Sequence, residues 1–231
     1  MPHSFRPHGY PIPLFFIMLI AVSGLVPGQL LTTGHAAAMF VVTNTNDSGA
    51  GSLNQAILDA NANPGADLIT FNIGSGAKTI TPTTLLPTIT DPVVIDGTTQ
   101  PGFSGSPLIE ITATNVPSFP NRGILNITAG NTTVRSLVIN HFRDFGIALV
   151  TAGGNHVEGC YIGTDITGSL ATGSTGNGIT INDSPNNVIG GTTPHSGNVI
   201  SGIGFHGISI FGFNGNGNQI LGNYIGQRPF D

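Results

Sequence analysis

One short phrase occurs twice in this chain, and the repeat limits the folds that the chain can adopt. GNHVEGCYIGTD occupies residues 154–165, and GNQILGNYIGQR follows at residues 217–228 with six of its twelve residues identical. Gly-Ile pairs also recur, at Gly146, Gly178 and Gly207, with spacings of 32 and 29 residues. A unit of about thirty residues with several short strands and no helix is typical of a parallel β-solenoid.

A second recurring element is Asn-x-Val/Ile, which occurs at Asn155, Asn187 and Asn218. Asn tolerates left-handed backbone angles at a corner and can hydrogen-bond locally. Gly suits positions where the chain turns or packs closely against a neighbour. We therefore expect these asparagines and the three repeated glycines to be structural positions, each at the same corner of successive coils. An additional Asn-x-Ile occurs at Asn198.

The register between the repeats predicts the interior of the fold. In stacked parallel strands, equivalent residues lie ~4.8 Å apart. The Gly-Ile alignment then predicts two interior files of side chains. One file contains Ile147, Ile179 and Ile208, and the other contains Leu149, Ile181 and Ile210.

Composition supports an all-β chain and excludes some functions. Charged residues make up only 7% of the sequence, against ~25% in an average domain. The many Ile, Val and Thr residues argue against disorder and for strands. Nucleic acid is not an expected partner, because the net charge is −5 and Lys78 is the one lysine. The single cysteine, Cys160, excludes an internal disulfide and is expected to be a small buried hydrophobe.

The N-terminus predicts secretion. Arg6 precedes an apolar run from Pro13 to Val26, and a small-x-small pattern follows at Ala36–Ala38. This order is typical of a signal peptide at 1–38, cut near Ala38. A membrane anchor is the rival interpretation, but the apolar run is shorter than the ~20 residues that span a bilayer. No membrane span is expected in the mature chain.

The mature chain is expected to begin with an N-terminal cap at 39–66, made of a strand and one amphipathic helix. Ser52 is its expected N-cap, and Gln55 completes a capping box. Leu53, Ala56, Ile57 and Ala60 form one apolar face. Short strands separated by Gly, Asn, Pro and Thr fill 67–231, and TVRSLVIN is interpreted as one of these strands.

The segment VTNTNDSGAGSLNQAILDANANPGADLITFNI resembles the N-terminal part of secreted bacterial β-helix proteins of the CSLREA-type, pectin-lyase-like class. The motif position is occupied by GSLNQAI, which departs from the family at Gly51, where Cys is usual, and at Asn54, where Arg is usual. VVIDGTTQPGF and SPNNVIGGTTP are similar to repeats of the same class. The resemblance implies a right-handed parallel β-helix whose N-terminal helix covers the open end. It implies no activity, because such folds carry many functions.

Candidate catalytic residues are sparse. His141, Arg143 and Asp144, in the stretch NHFRDFG, are suited to act as a base, an anion clamp and a ligand, or they form a polar loop between strands. A polysaccharide lyase or hydrolase needs clustered carboxylates. The Gly-Ile alignment places no carboxylate opposite another, so no acidic ladder is expected. No cofactor is predicted; calcium stays open at turn carboxylates, without a repeated Asp motif to favour it.

Two functions follow from this sequence. The first is a secreted or cell-surface β-helix that acts as a structural, adhesive or glycan-facing module without catalysis. The second is a lyase or glycoside hydrolase acting on acidic polysaccharide. A discriminating observation is whether Asp144, Glu158 and Asp165 converge in one groove. The final coil also breaks off where the earlier copy continues, which predicts a longer coding sequence and end-to-end association through an open C-terminal coil.

Overall fold

The computed structural model describes residues 36–226, whose regular secondary structure is mostly strands with a single α-helix. The strands form three sheets, A, B and C, and every strand pairing is parallel. The prediction of an all-β chain with one helix is confirmed. The predicted signal peptide lies almost wholly outside the described residues. No helix within 36–226 combines the length and apolar character needed to cross a membrane.

Sheet A has seven strands. They are β1 (Met39–Val42), β2 (Asp67–Phe71), β4 (Val93–Asp96), β7 (Thr133–Arg135), β10 (His156–Glu158), β13 (Val188–Gly190) and β16 (Gln219–Leu221). Sheet B has six strands. They are β3 (Lys78–Ile80), β5 (Ile109–Thr112), β8 (Leu137–Asn140), β11 (Tyr161–Ile162), β14 (Val199–Ile200) and β17 (Tyr224–Ile225).

Sheet C has four strands. They are β6 (Gly123–Ile127), β9 (Phe145–Val150), β12 (Asn177–Asn182) and β15 (Ile208–Phe211). The helix α1 (Leu53–Ala62) lies between β1 and β2, and a short 3-10 helix covers Gly97–Thr99. From β4 onward the chain visits sheets A, B and C in a fixed order, so each strand pairs with the strand three positions later.

The corner between sheets A and B is where one strand prediction is wrong. The sequence suggests a continuous strand over TVRSLVIN, but the structure divides it into β7 and β8, which belong to different sheets. Ser136 separates them with φ 54°, in the left-handed region. A single residue at this angle redirects the backbone, and hydrophobic periodicity carries no trace of it.

The predicted pairing of the two side-chain files is confirmed by the register, but Ile210, the last member of its file, is 44% exposed and is not interior. Ile179 pairs with Ile147 on one side and with Ile208 on the other. Ile181 likewise pairs with Leu149 and Ile210. A continuous buried cluster joins inward side chains of all three sheets with the helix, so the core extends along the strand stack. Because this cluster removes mostly Ile, Leu and Val from water, hydrophobic burial is the main stabilising term.

Helix α1 buries the predicted apolar face, made of Leu53, Ala56, Ile57 and Ala60. The hydroxyl of Ser52 accepts a hydrogen bond from the Gln55 N–H at 3.1 Å, which places Ser52 at the N-cap. The reciprocal half of the expected capping box does not form. Instead, the Gln55 side-chain amide donates to Asp59 at 2.8 Å, and the Ser52 N–H donates to the Gly49 carbonyl at 3.1 Å.

Candidate functional site

The expected catalytic stretch connects strands β8 and β9, and its side chains separate. His141 has φ 54°, and its Nδ1 lies 3.0 Å from Thr112 Oγ1 and 2.9 Å from Asn140 Oδ1. Asp144 Oδ2 instead accepts hydrogen bonds from the Ser118 hydroxyl at 2.8 Å and the Phe119 N–H at 2.9 Å. The three candidate residues therefore do not share one set of contacts.

A small cleft brings two of these residues together with a different histidine. Arg143 and Asp144 line a cavity of about 290 Å³ that also has Asn177 and His206 in its wall. The His206 Nδ1 lies 3.2 Å from Asn177 Oδ1. We call this cavity the His206 cleft. Its histidine comes from the neighbouring loop before β15, and the linear spacing of NHFRDFG gave no indication of it.

The three carboxylates proposed as a discriminating set lie apart. Asp144 precedes a strand of sheet C, Glu158 ends a strand of sheet A, and Asp165 follows a strand of sheet B. Asp144 lines the His206 cleft, Glu158 lines a separate cavity of about 310 Å³, and Asp165 lines neither. The convergence in one groove that the enzymatic alternative requires is absent among these described residues.

Asp165 is held by its own loop. Burial works to raise its pKa, but hydrogen bonds from the Leu170 N–H, the Thr167 hydroxyl and the Ser169 N–H outweigh burial, so the pKa is lowered. Its Oδ1 accepts from the Ser169 N–H at 3.2 Å and from the Leu170 N–H at 3.1 Å. These contacts keep Asp165 an ionised loop anchor, not a proton donor.

A row of charges crosses sheet A that sequence alignment did not find. Asp96, Arg135 and Glu158 are paired residues on three neighbouring strands. Arg135 binds Asp96 at 2.8 Å, and its other terminal nitrogen lies 3.9 Å from Glu158. The alignment began only at Gly146, so Asp96 and Arg135 fell outside it. Since opposite charges alternate here, the row is an ion-pair ladder and not a cluster of carboxylates.

The repeated asparagines form a ladder of side-chain amides. Thr132 N–H donates to Asn155 Oδ1 at 3.0 Å, Asn155 N–H donates to Asn187 Oδ1 at 2.9 Å, and Asn187 N–H donates to Asn218 Oδ1 at 2.8 Å. Each Nδ2 also donates to a carbonyl three residues earlier, at Ala152, Ser184 and Gly215 respectively. The ladder satisfies the buried backbone at this corner.

A second ladder runs along the corner between sheets A and B. Cys160 N–H donates to Asn198 Oδ1 at 2.8 Å, and Asn198 N–H donates to Asn223 Oδ1 at 3.0 Å. Sequence reasoning took Asn198 as one more copy of Asn-x-Ile and missed Asn223. The signal was the Gly-Asn pair in GNVISG and GNYIG, which belongs to a different corner from the Asn187 ladder.

The repeated glycines occupy tight positions between neighbouring strands. A Cβ on Gly146 would lie 2.7 Å from the Gly178 carbonyl oxygen, and a Cβ on Gly178 would lie 2.5 Å from that of Gly207. At Gly51, where the CSLREA-type pattern has Cys, φ is +77° and a Cβ would collide with Thr43 Oγ1. The local backbone therefore accounts for the departure from that pattern at Gly51.

The largest cavity among those described lies on the outer surface of sheet B. It has a volume of about 640 Å³, and Tyr161, Val199 and Tyr224 line it. These three residues are paired in register on β11, β14 and β17. Ile162, the residue after Tyr161 on β11, is fully buried. Because side chains alternate between the two faces along a strand, the tyrosines face outward. We call this cavity the tyrosine groove.

Within residues 36–226, no group of three or more His, Cys, Asp or Glu side chains is placed to hold a metal ion. No known family model matches the chain. A search of curated proteins found no match either.

Proposed function

We propose that this chain is a right-handed parallel β-helix that works outside the cell as a structural or adhesive module facing glycans, without catalysis. The resemblance to secreted CSLREA-type proteins supports the fold and the location together. The signal peptide expected at 1–38 supports export. In this proposal the module belongs to the pectin-lyase-like class.

The order of the strands supports the β-helix. A chain that passes through sheets A, B and C in turn and pairs only in parallel advances by one strand spacing with each circuit. A crossover between parallel strands of one sheet is right-handed in ~98% of cases. In this arrangement α1, whose buried face packs on the core beside β1 and β2, covers the N-terminal end.

The separation of the carboxylates is the observation that carries the non-catalytic assignment. Glycoside hydrolysis uses two carboxyl groups about 5–10 Å apart across one bond. Asp144, Glu158 and Asp165 lie in or beside strands of three different sheets, and they contact Ser118, Arg135 and Ser169 respectively. The asparagine side chains of the amide ladders, by contrast, form hydrogen bonds with the backbone of neighbouring strands, which favours a rigid scaffold.

A second candidate function is hydrolysis or elimination on an acidic polysaccharide at the His206 cleft. The observation that favours it is the placement of Arg143, Asp144 and His206 in one cavity. Arg143 is exposed and forms no ion pair within the described residues. It could hold a sugar carboxylate while His206 exchanges a proton.

One experiment separates the two functions. The purified protein is incubated with pectin, polygalacturonate and alginate, and both binding and new reducing or unsaturated ends are measured. The proposal expects no products from any substrate. Products that vanish in Asp144→Ala, His141→Ala or His206→Ala would establish the enzyme. Asp59→Ala, at an exposed carboxylate outside the cleft, serves as the control for non-specific loss.

A further inference from the structure

We propose that the tyrosine groove binds a stretch of neutral polysaccharide, with Tyr161 and Tyr224 as stacking platforms. The inference rests on the glycan-facing part of the proposed function and assigns it a site and a ligand class. It concerns sheet B, whereas the His206 cleft lies beside sheet C.

The two rings are placed as platforms for a repeating ligand. Tyr161 and Tyr224 occupy the same position on β11 and β17, with Val199 of β14 between them. Neighbouring strands are ~4.8 Å apart, so the two backbone positions are separated by roughly 10 Å. Because the face of an aromatic ring is electronegative, it attracts the C–H groups on the flat face of a pyranose. An apolar strip of this length can contact successive sugar rings.

The chemistry of the lining selects a neutral ligand. No Asp, Glu, Lys or Arg lines the groove. Its polar groups are mainly the exposed hydroxyl side chains of Ser106, Thr192 and Thr193 together with His195. Hydroxyls donate and accept hydrogen bonds, as sugar hydroxyls do. Binding of uronic acids is disfavoured, because their carboxylates would enter a groove that has no Lys or Arg side chain to pair with them.

The groove is built before any ligand arrives. The Tyr161 ring packs against Gly168, where an added Cβ would lie 3.0 Å from Cε2. Gly159 lines the groove with φ +60°, and a Cβ there would lie 2.7 Å from the His195 carbonyl oxygen. The Asn198 ladder lies directly before the strand residues of the groove. A pre-formed surface loses less entropy on binding.

The phenolic hydroxyls are available for a ligand. Neither Tyr161 nor Tyr224 donates or accepts a side-chain hydrogen bond with another residue of the described part of the chain. Tyr224 is 55% exposed and lies on β17, the last strand that the structure describes. Tyrosine in this setting combines an apolar surface with a polar tip.

The test is isothermal titration of the full mature protein with cellohexaose, xylohexaose and hexagalacturonate. Tyr161→Ala and Tyr224→Ala are each compared with Phe213→Ala, which removes a fully exposed aromatic side chain outside the groove. We expect a neutral hexasaccharide to bind and each tyrosine variant to lose about five-fold in affinity, which corresponds to the ~1 kcal/mol of one aromatic contact. Phe213→Ala should retain the affinity.

Tyrosine emission gives an independent readout, because the chain has no Trp and only three Tyr. Binding should change the tyrosine emission of the native protein. The change should be smaller in Tyr161→Phe, which lacks one of the two tyrosines in the groove. If Tyr161→Ala unfolds, the affinity of Tyr224→Ala for the neutral hexasaccharide decides whether the groove is the binding site. Neutral binding that is unchanged in Tyr224→Ala, or hexagalacturonate binding alone, overturns the groove assignment but leaves a glycan-facing module. Failure of every neutral hexasaccharide to bind overturns the groove assignment, and product formation would separately overturn the proposed function.

Discussion

Asn218 Oδ1 accepts two hydrogen bonds from Asn187, one from its backbone N–H and one from its side-chain Nδ2, each at 2.8 Å. Asn187 repeats part of this arrangement, because its own Oδ1 accepts from the Asn155 N–H at 2.9 Å. The Asn187 side chain thus accepts a hydrogen bond from the backbone of Asn155, while its own Nδ2 donates to Asn218. Such a buried chain of amides is stable only while every member is satisfied.

Removing the middle amide should therefore destabilise the protein. We expect Asn187→Ala to lower the free energy of unfolding by about 1–3 kcal/mol, because the buried Asn155 N–H and Ser184 carbonyl lose a partner. Urea unfolding of the purified protein measures it. Asn216→Ala, at an exposed asparagine nearby, is the control and should change stability by less than about 0.5 kcal/mol. Equal effects would contradict the role of the ladder.

The interior file predicts a large cost for Ile179→Ala. Ile179 is fully buried and pairs with both Ile147 and Ile208, so its truncation leaves a cavity and should cost ~2–5 kcal/mol. Ile210→Ala makes the same chemical change at a residue that is 44% exposed and should cost clearly less. Thermal and urea unfolding of both variants test this, and a larger loss for Ile210→Ala would show that the inward assignment is wrong.

The helix cap predicts a smaller effect. The Ser52 hydroxyl accepts from the Gln55 N–H at 3.1 Å and donates to the Gly49 carbonyl at 2.7 Å. Ser52→Ala should therefore cost ~1 kcal/mol. Ser52→Thr keeps the acceptor and is the matched control. A cost for Ser52→Ala as large as that for Ile179→Ala would contradict the assignment of a simple cap.

Cys160 should be unreactive in the folded protein. Burial raises the pKa of its thiol to about 12, and backbone hydrogen bonds from Leu137 and Ser136 oppose this only in part. The thiolate is the form that reacts. Iodoacetamide should therefore label the protein only after unfolding, as mass spectrometry would record. Rapid labelling of the native protein at neutral pH would contradict the buried position.

The same thiol makes stability depend on alkaline pH. Its pKa is about 12 in the folded state and near the ordinary 9.0 when unfolded, so the folded state holds the proton more tightly. The stabilisation is complete below about pH 9 and is lost as the pH rises towards 12, by up to ~1.4 kcal/mol per pH unit. Cys160→Ser lacks this term. A native and a Cys160→Ser protein with identical pH profiles would exclude it.

Part of the site was open to prediction from the sequence. Asn155, Asn187 and Asn218 were identified as repeated corner residues because Asn-x-Val/Ile recurs in each repeat, but the ladder between their amides was not predicted. Cys160 hid the second ladder, since it stands in the position of Asn198 and Asn223 on the neighbouring strands and its thiol does not match their amide pattern. A one-letter alignment could not equate a thiol with an amide.

The His206 cleft and the tyrosine groove needed coordinates. Arg143 and His206 are 63 residues apart in the chain, and they meet because β9, β12 and β15 pair side by side. Tyr161 and Tyr224 are in the two copies of the repeated phrase, but only the sheet register reveals that one strand separates them. Loop positions likewise depend on packing and left-handed residues such as His195.

The sequence by itself determined the strand-rich class, the helix with its apolar face, and the register of Ile147, Ile179 and Ile208. These features follow from local propensity and from the spacing of the repeats, and both of these can be read directly from the order of residues. The tertiary structure decided which side chains share a surface. It divided one expected strand at Ser136, separated Asp144 from Glu158, and brought two tyrosines to one groove. Such contacts depend on how distant segments pack, and no local pattern encodes that.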